Sequence, residues 1–322
     1  MADYLQGRTT HVDKHLSNVA INYRPPRGIW DKIFPIIPVA KQSDMLLTFT
    51  QGDLFRIPST LRARGTEAQK VGWQVSSDTY YCENYALKYA QFDEDAANQD
   101  DIFASLNDDE ARVMKLKDFL GQDAELRIAN QVTSTSNVGS SVAVASSWTS
   151  PTVARPVDDL FTAIRNVEGA TGYRPNRVLF SSLAWDHWSA NNQVVDKVFG
   201  TGVTGGGMRA TAELTKQLLQ MDEVLIGGAF QNTAEEGIAQ TLARIWGDHV
   251  LVYYAPATPS RFEPSFGYGF RWQVPGIPNF NVLRLPHDDK LHLSEVEVGY
   301  YQDERITASA LGFLVTNVTS SQ

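Results

Sequence analysis

Four stretches of the sequence carry residue types whose spacing suits chemistry. Gly200-Thr-Gly202-Val-Thr-Gly205 has the G-x-G-x-x-G spacing that lets a backbone approach a dinucleotide pyrophosphate, and Asp222 stands twenty residues past Gly202, where a ribose-binding acid is wanted. That mechanism needs a strand to deliver the loop, and the preceding Trp185, Trp188, Val195 and Phe199 have helical spacing. The glycines therefore read as a surface loop, with a nucleotide-dependent oxidoreductase kept as a rival from a different class. Pro286 to His292 places two imidazoles and two carboxylates within six residues, a set able to chelate a divalent metal. A Pro-Asp turn between strands ending at Leu285 and starting at Leu291 accounts for the same letters. His11 and His15 have the i, i+4 spacing of a zinc pair on a helix, but two ligands are too few. Asp248-His249 pairs an acid with a base, yet neighbours on a strand point to opposite faces. The chain has no G-x-S-x-G and no Gly-Lys pair, and its one cysteine, Cys82, lies among tyrosines in an expected strand. No catalytic residue, cofactor or metal ligand is expected.

The elements around these residues point to a protein that works through surfaces. With 322 residues, 43% of them apolar and seven tryptophans, the chain is long enough for two packed units. One cysteine excludes an internal disulfide or a thiol-rich metal site. The 28 Lys and Arg against 37 Asp and Glu leave a net charge of -9, which argues against specific DNA reading through a broad basic face. No run approaches the about 18 apolar residues of a membrane span, and the N-terminus lacks an export signal, so cytoplasmic synthesis is expected.

The opening 44 residues are broken by Arg24-Pro25-Pro26-Arg27 and Phe34-Pro35-Ile36-Ile37-Pro38, and read as an extended arm. Trp30, Ile33 and Phe34 make it too apolar to stay in solvent, so it should lie on its own body or on a neighbour. Residues 45–92 hold two alternating strands, around Met45–Phe49 and Tyr81–Tyr89, with a long protruding hairpin loop at about 52–78. Residues 93–152 contain an acidic segment, a helix from about 108 to 132, and a Ser/Thr-rich linker. Asn107 and Glu110 resemble a capping box at the start of that helix, and Val113, Leu116, Leu120, Ala124, Ile128 and Val132 give one apolar stripe about 36 Å long. Gly121 sits inside it, explained by close packing or by a bend. Residues 153–257 alternate helices and strands as a compact αβ unit, and 258–322 are β-rich and should return to the first unit.

Charge is distributed unevenly. The hairpin loop carries Arg56, Arg62, Arg64 and Lys70, while Asp93, Glu94, Asp95, Asp100, Asp101, Asp108 and Asp109 follow without a Lys or Arg among them. A loop too poor in apolar residues to fold alone gains most by crossing a neighbouring subunit, its arginines over that subunit's acids.

This order of parts resembles the major capsid proteins of tailed bacteriophages with the Hong Kong 97 type of fold. The resemblance covers nearly the whole chain and extends to Gly228-Ala-Phe-Gln-Asn232-Thr-Ala, to Ile245-Trp246-Gly247-Asp248 leading into Val250-Leu-Val-Tyr-Tyr-Ala-Pro256, and to Ala310-Leu-Gly312-Phe-Leu-Val-Thr-Asn317-Val. It implies an α+β capsid fold: an N-terminal arm, an extended loop, a peripheral domain with a long spine helix, and an inserted axial domain. It further implies hexamers and pentamers of an icosahedral shell around double-stranded DNA, assembled in the host bacterial cytoplasm. The implied partners are copies of itself, a separate scaffolding protein, a portal and a decoration protein. A scaffolding segment within the chain is not expected, because fewer than 45 residues precede the first strand. Lys70 is the only lysine available in the loop for the covalent cross-link that some members form. The same-fold rival is an encapsulin-type shell holding an enzyme cargo.

Overall fold

Two large sheets pack around buried strands, and one helix with a continuous apolar stripe joins them. In the computed structural model the described residues are 11–13, 16–17, 20, 28–49, 60–62, 64–65, 67–68, 70, 75–94, 108–200, 208–235, 237–260, 263–274 and 281–319. The chain begins with β1 (His11–Val12), α1 (Trp30–Ile33), β2 (Ile36–Val39), β3 (Ser43–Phe49), β4 (Val75–Tyr81), β5 (Glu83–Phe92) and α2 (Asp108–Val132). It continues with β6 (Ser140–Ala143), α3 (Pro156–Thr171), β7 (Arg177–Ser181), α4 (Ser182–Ala190), α5 (Asn192–Phe199), α6 (Ala212–Leu219) and β8 (Glu223–Gly227). Then follow β9 (Phe230–Asn232), β10 (Leu242–Arg244), β11 (Val250–Tyr253), β12 (Gly267–Trp272), β13 (Asn281–Arg284), β14 (Leu293–Ile306) and β15 (Gly312–Thr316).

The first sheet is organised by β14. One of its edges pairs antiparallel with β5 from Leu293 to Gln302, and the other pairs first with β13 and then with β12. β1 extends the sheet beyond β13, and β2 lies parallel to β12. β3 and β4 form a separate antiparallel ribbon, Ser43 opposite Tyr81 and Phe49 opposite Val75. The paired stem therefore reaches back to Val75, further than the 52–78 loop expected from sequence leaves room for.

The second sheet has the order β6-β15-β11-β7-β8. Its central strand β11 is buried on both faces. Val250 and Val252 join Phe180, Trp188 and the α3 residues Leu160 and Ile164 in one core, while Leu251 and Tyr253 face another. Such a strand reads as a continuous apolar run because neither face meets water.

Helix α2 spans both units. Val113 and Leu120 pack with Leu16, Val282, Val298 and Tyr300 of the first sheet. Ala124, Ile128 and Val132 pack with Leu179, Leu225, Leu251 and Leu314 of the second. The stripe read from the sequence is the one that is buried, and the helix runs unbroken through Gly121, which is itself buried.

Two pieces lie elsewhere than expected. β12, β13 and β14 return to the first sheet, but β15 enters the second sheet between β6 and β11. β6 comes from the stretch read as linker, and its four residues are all exposed. A polar edge strand carries too little apolar pattern to announce itself, and the apolar run of β15 says that it is buried without saying in which sheet.

Candidate functional site

The chemistry-bearing residues of the sequence meet a different fate from one another. Gly200 ends helix α5 with φ +98, so a helix and not a strand delivers the glycine loop, whose residues 201–207 lie outside the described residues. Asp222 accepts a hydrogen bond from Asn176 Nδ2 at 3.1 Å. The dinucleotide geometry thus lacks its strand. His249 lies just before β11 and Asp248 in the turn leading to it, so the opposite-face argument made for them does not apply. His249 Nδ1 lies 3.7 Å from Asp248 Oδ1, too far for a hydrogen bond, and burial lowers the His249 pKa. The thiol of Cys82 is buried and donates to the Phe270 carbonyl at 3.3 Å, with desolvation pushing its pKa up to about 11. A thiol held protonated there is a core residue and a poor nucleophile.

The surface-forming residues are placed more clearly. Trp30, Ile33 and Phe34 of the arm are buried against their own chain, in the core shared by α2 and the second sheet. A buried carboxylate anchors this docking. Glu125, on α2, accepts from the Ile29 backbone N–H at 3.0 Å and from Trp246 Nε1 at 2.7 Å. Desolvation raises its pKa from 4.5 to about 7. Sequence reasoning does not single out Glu125; the available signal is its place beside Ala124 and Ile128 on the apolar side of the helix.

Two residues further along α2, Arg127 donates to Glu304 at 2.9 Å and to the Tyr300 hydroxyl at 3.3 Å, and it also bonds Asp123. Its guanidinium lies 3.6 Å over the Tyr85 ring. A planar fork that pairs and stacks at once ties α2 to β5 and β14.

The basic loop and the acidic segment are not brought together as a set within the described residues. Arg62, Arg64 and Lys70 are exposed, and Arg56 lies outside the described residues. Asp95, Asp100 and Asp101 also lie outside them, as does the side chain of Asp108. Glu94 is exposed. Asp109 already holds Arg284 of its own chain at 2.7 Å, so it is engaged before any neighbour arrives. Asp93 lies against His287 and His292. Leu61, in the loop, is 93% exposed, and Met45 in its stem is 62% exposed. Exposed apolar side chains beside exposed basic ones form a surface suited to contact more than to a small ligand.

No protein-family model matches the chain. Over 315 residues it is 24% identical to the major capsid protein of Pseudomonas phage JBD67, covering 96% of this chain and 98% of that protein. It is 23% identical over 274 residues to the major capsid protein of Burkholderia phage BcepMu, covering 81% of this chain and 83% of that one. Among solved structures, a phage-related protein from Bordetella bronchiseptica RB50 matches with a TM-score of 0.74 at 24% identity, over 98% of this chain and 99% of that chain. The capsid structure of the cyanophage P-SCSP1u matches with a TM-score of 0.57 at 10% identity, over 91% of this chain and 88% of that chain. The mixed α/β fold is one that phage capsid chains share.

Proposed function

We infer that this chain is a phage major capsid protein, a structural subunit that builds a shell with copies of itself. The observation that carries this reading is the end-to-end match to the capsid protein of Pseudomonas phage JBD67, 315 residues long with both chains covered almost completely. The architecture agrees with it. A rigid two-sheet body joined by one helix presents an exposed hairpin, which suits assembly through many modest contacts.

The finer reading is of Hong Kong 97 type: α2 as the spine helix, the first sheet as the peripheral domain and the second as the axial domain. Its subunits form hexamers and pentamers of an icosahedral virion shell, assembled in the host cytoplasm. A scaffolding protein, a portal and a decoration protein are its partners. The net charge of -9 suits a shell that encloses double-stranded DNA without gripping it. Arg62, Arg64 and Lys70 reach a neighbouring subunit through the hairpin, and Gly121 gives the spine helix a point of bending.

Negative-stain electron microscopy of the expressed full-length chain tests the reading. Closed shells, or rings of five and six, are expected, and interiors filled by a co-purified enzyme would mark the nanocompartment alternative. A small, monodisperse particle that binds NAD in a titration would overturn the capsid reading.

A further inference from the structure

We propose that Asp93, His287 and His292 form a binding site for a zinc-class divalent cation at the end of the β5–β14 ladder. The proposal does not depend on the assembly reading.

The backbone collects these side chains first. The Asp93 N–H donates to the His292 carbonyl at 2.9 Å, just past the ladder pair Phe92–Leu293. The turn between β13 and β14 is closed by Asp288, whose Oδ1 accepts from the Lys290 N–H at 2.9 Å and the Leu291 N–H at 3.3 Å. Its backbone also exchanges hydrogen bonds with Leu293. His292 has a φ of +47, a left-handed conformation uncommon for a residue other than glycine, and this closed turn holds it there.

The donor atoms then converge without bonding one another. His287 Nε2 lies 3.4 Å from Asp93 Oδ2 and 3.6 Å from Asp289 Oδ1, and His292 Nδ1 lies 3.9 Å from the same Asp93 oxygen. These separations are too long for good hydrogen bonds. They are close to the edge of a coordination tetrahedron, about 3.3 Å when metal–ligand bonds are about 2.0–2.1 Å. The donor atoms of Asp93, His287 and His292 all lie within 4.8 Å of one another on exposed side chains free to rotate onto a cation, and Asp289, beside His287, can take the fourth position or leave it to water. Ser294 Oγ, 3.3 Å from His287 Nδ1, occupies the other ring nitrogen and leaves Nε2 to face the cation, the usual outer-shell arrangement for a ligating imidazole.

Two imidazoles with a carboxylate select zinc over calcium or magnesium, which want oxygen ligands throughout. A cation here would lock the corner where the acidic segment leaves β5 to the turn that opens β14. Because the four side chains are exposed or nearly so, removing them costs the fold little.

The test is isothermal titration of zinc chloride into the EDTA-treated, dialysed full-length chain. One zinc per chain is expected at micromolar or tighter affinity. The His287→Ala, His292→Ala double variant should weaken it at least about tenfold, a loss that even outer-shell changes produce. Asp93→Asn should weaken it as well, while His187→Ala should leave it unchanged, with circular dichroism verifying that each variant is folded. Cobalt added in place of zinc should give the intense visible absorption of a tetrahedral site in the wild type only. Binding confined to millimolar zinc, or equal affinity in the double variant and the wild type, would overturn the proposal.

Discussion

Strand β11 and the β3–β4 ribbon are both short pieces of sheet, and they are held in opposite ways. All four residues of β11 are buried, and alternate side chains enter two different cores. Among the described residues the ribbon pairs with no other strand, and part of its apolar surface is open, Met45 at 62% and Tyr81 at 55% exposed. It is pinned at its root, where Tyr80 stacks on Phe270 at 4.8 Å beside buried Leu46 and Cys82. A lone two-stranded ribbon is marginal in water, so its outer part needs something to lie against. The body carries its own packed cores, whereas the outer part of the ribbon gains most from a surface to lie against.

The comparison can be broken most forcefully in the body. Trp188 is fully buried, packs against Trp148 and Phe180, and donates from its indole nitrogen to Thr215 Oγ1 at 3.1 Å. Trp188→Ala should cost about 3–5 kcal/mol, because it opens a cavity and orphans a hydroxyl. Met45→Ala in the ribbon should cost less than about 0.5 kcal/mol in the isolated subunit. Urea unfolding midpoints measure both, and equal losses would remove the distinction between the two regions.

The next effect lies where the arm meets the body. Glu125 is 1% exposed, and its pKa is raised from 4.5 to about 7 by desolvation. An acid whose pKa is higher in the folded state binds its proton more tightly there, so its contribution favours folding at low pH and fades as pH rises from 4.5 to 7. The span of about 2.5 units corresponds to about 3 kcal/mol. Subtracting the stability profile of Glu125→Gln from that of the wild type between pH 5 and 8 isolates this group. The wild type should lose stability relative to the variant as pH rises through that window. A flat difference would mean that the Ile29 and Trp246 hydrogen bonds stabilise the carboxylate enough to cancel its burial.

What was legible in the sequence was local in period. The stripe from Val113 to Val132 predicts which side of α2 is buried, and the apolar run at Val250 predicts a strand with no wet face, because neighbours along the chain carry both signals. Partners distant in sequence leave no such mark. Nothing near Phe313 says that β15 crosses into the second sheet, and nothing near His287 says that Asp93 waits at the end of the adjoining strand. Asp248 and His249 were misread for the opposite reason: a strand was extended over a turn, and the alternation rule was applied where it does not hold. Glu125 is hard to single out because Asp123 and Arg127 flank it and it reads as one more helix charge, until Ile29 and Trp246 are seen to donate to it.

The smallest change expected in the subunit belongs to the ribbon's loop, and there the readout must be assembly. Arg62 and Arg64 are exposed, so reversing both to glutamate should shift the urea midpoint by less than the equivalent of about 0.5 kcal/mol. Between subunits the same change replaces attraction to a neighbour's acids with repulsion, which acts on encounter as well as on the final contact. The Arg62→Glu, Arg64→Glu variant should therefore stay folded by circular dichroism while yielding fewer closed particles by electron microscopy and light scattering. Attraction between exposed charges is screened within about 10 Å at 0.1 M salt, so assembly of the wild type should weaken as salt rises, and the variant should be much less sensitive. Normal particle yield from a folded variant would mean that the loop meets its neighbour through Leu61 and the ribbon's apolar residues, with its arginines left in solvent.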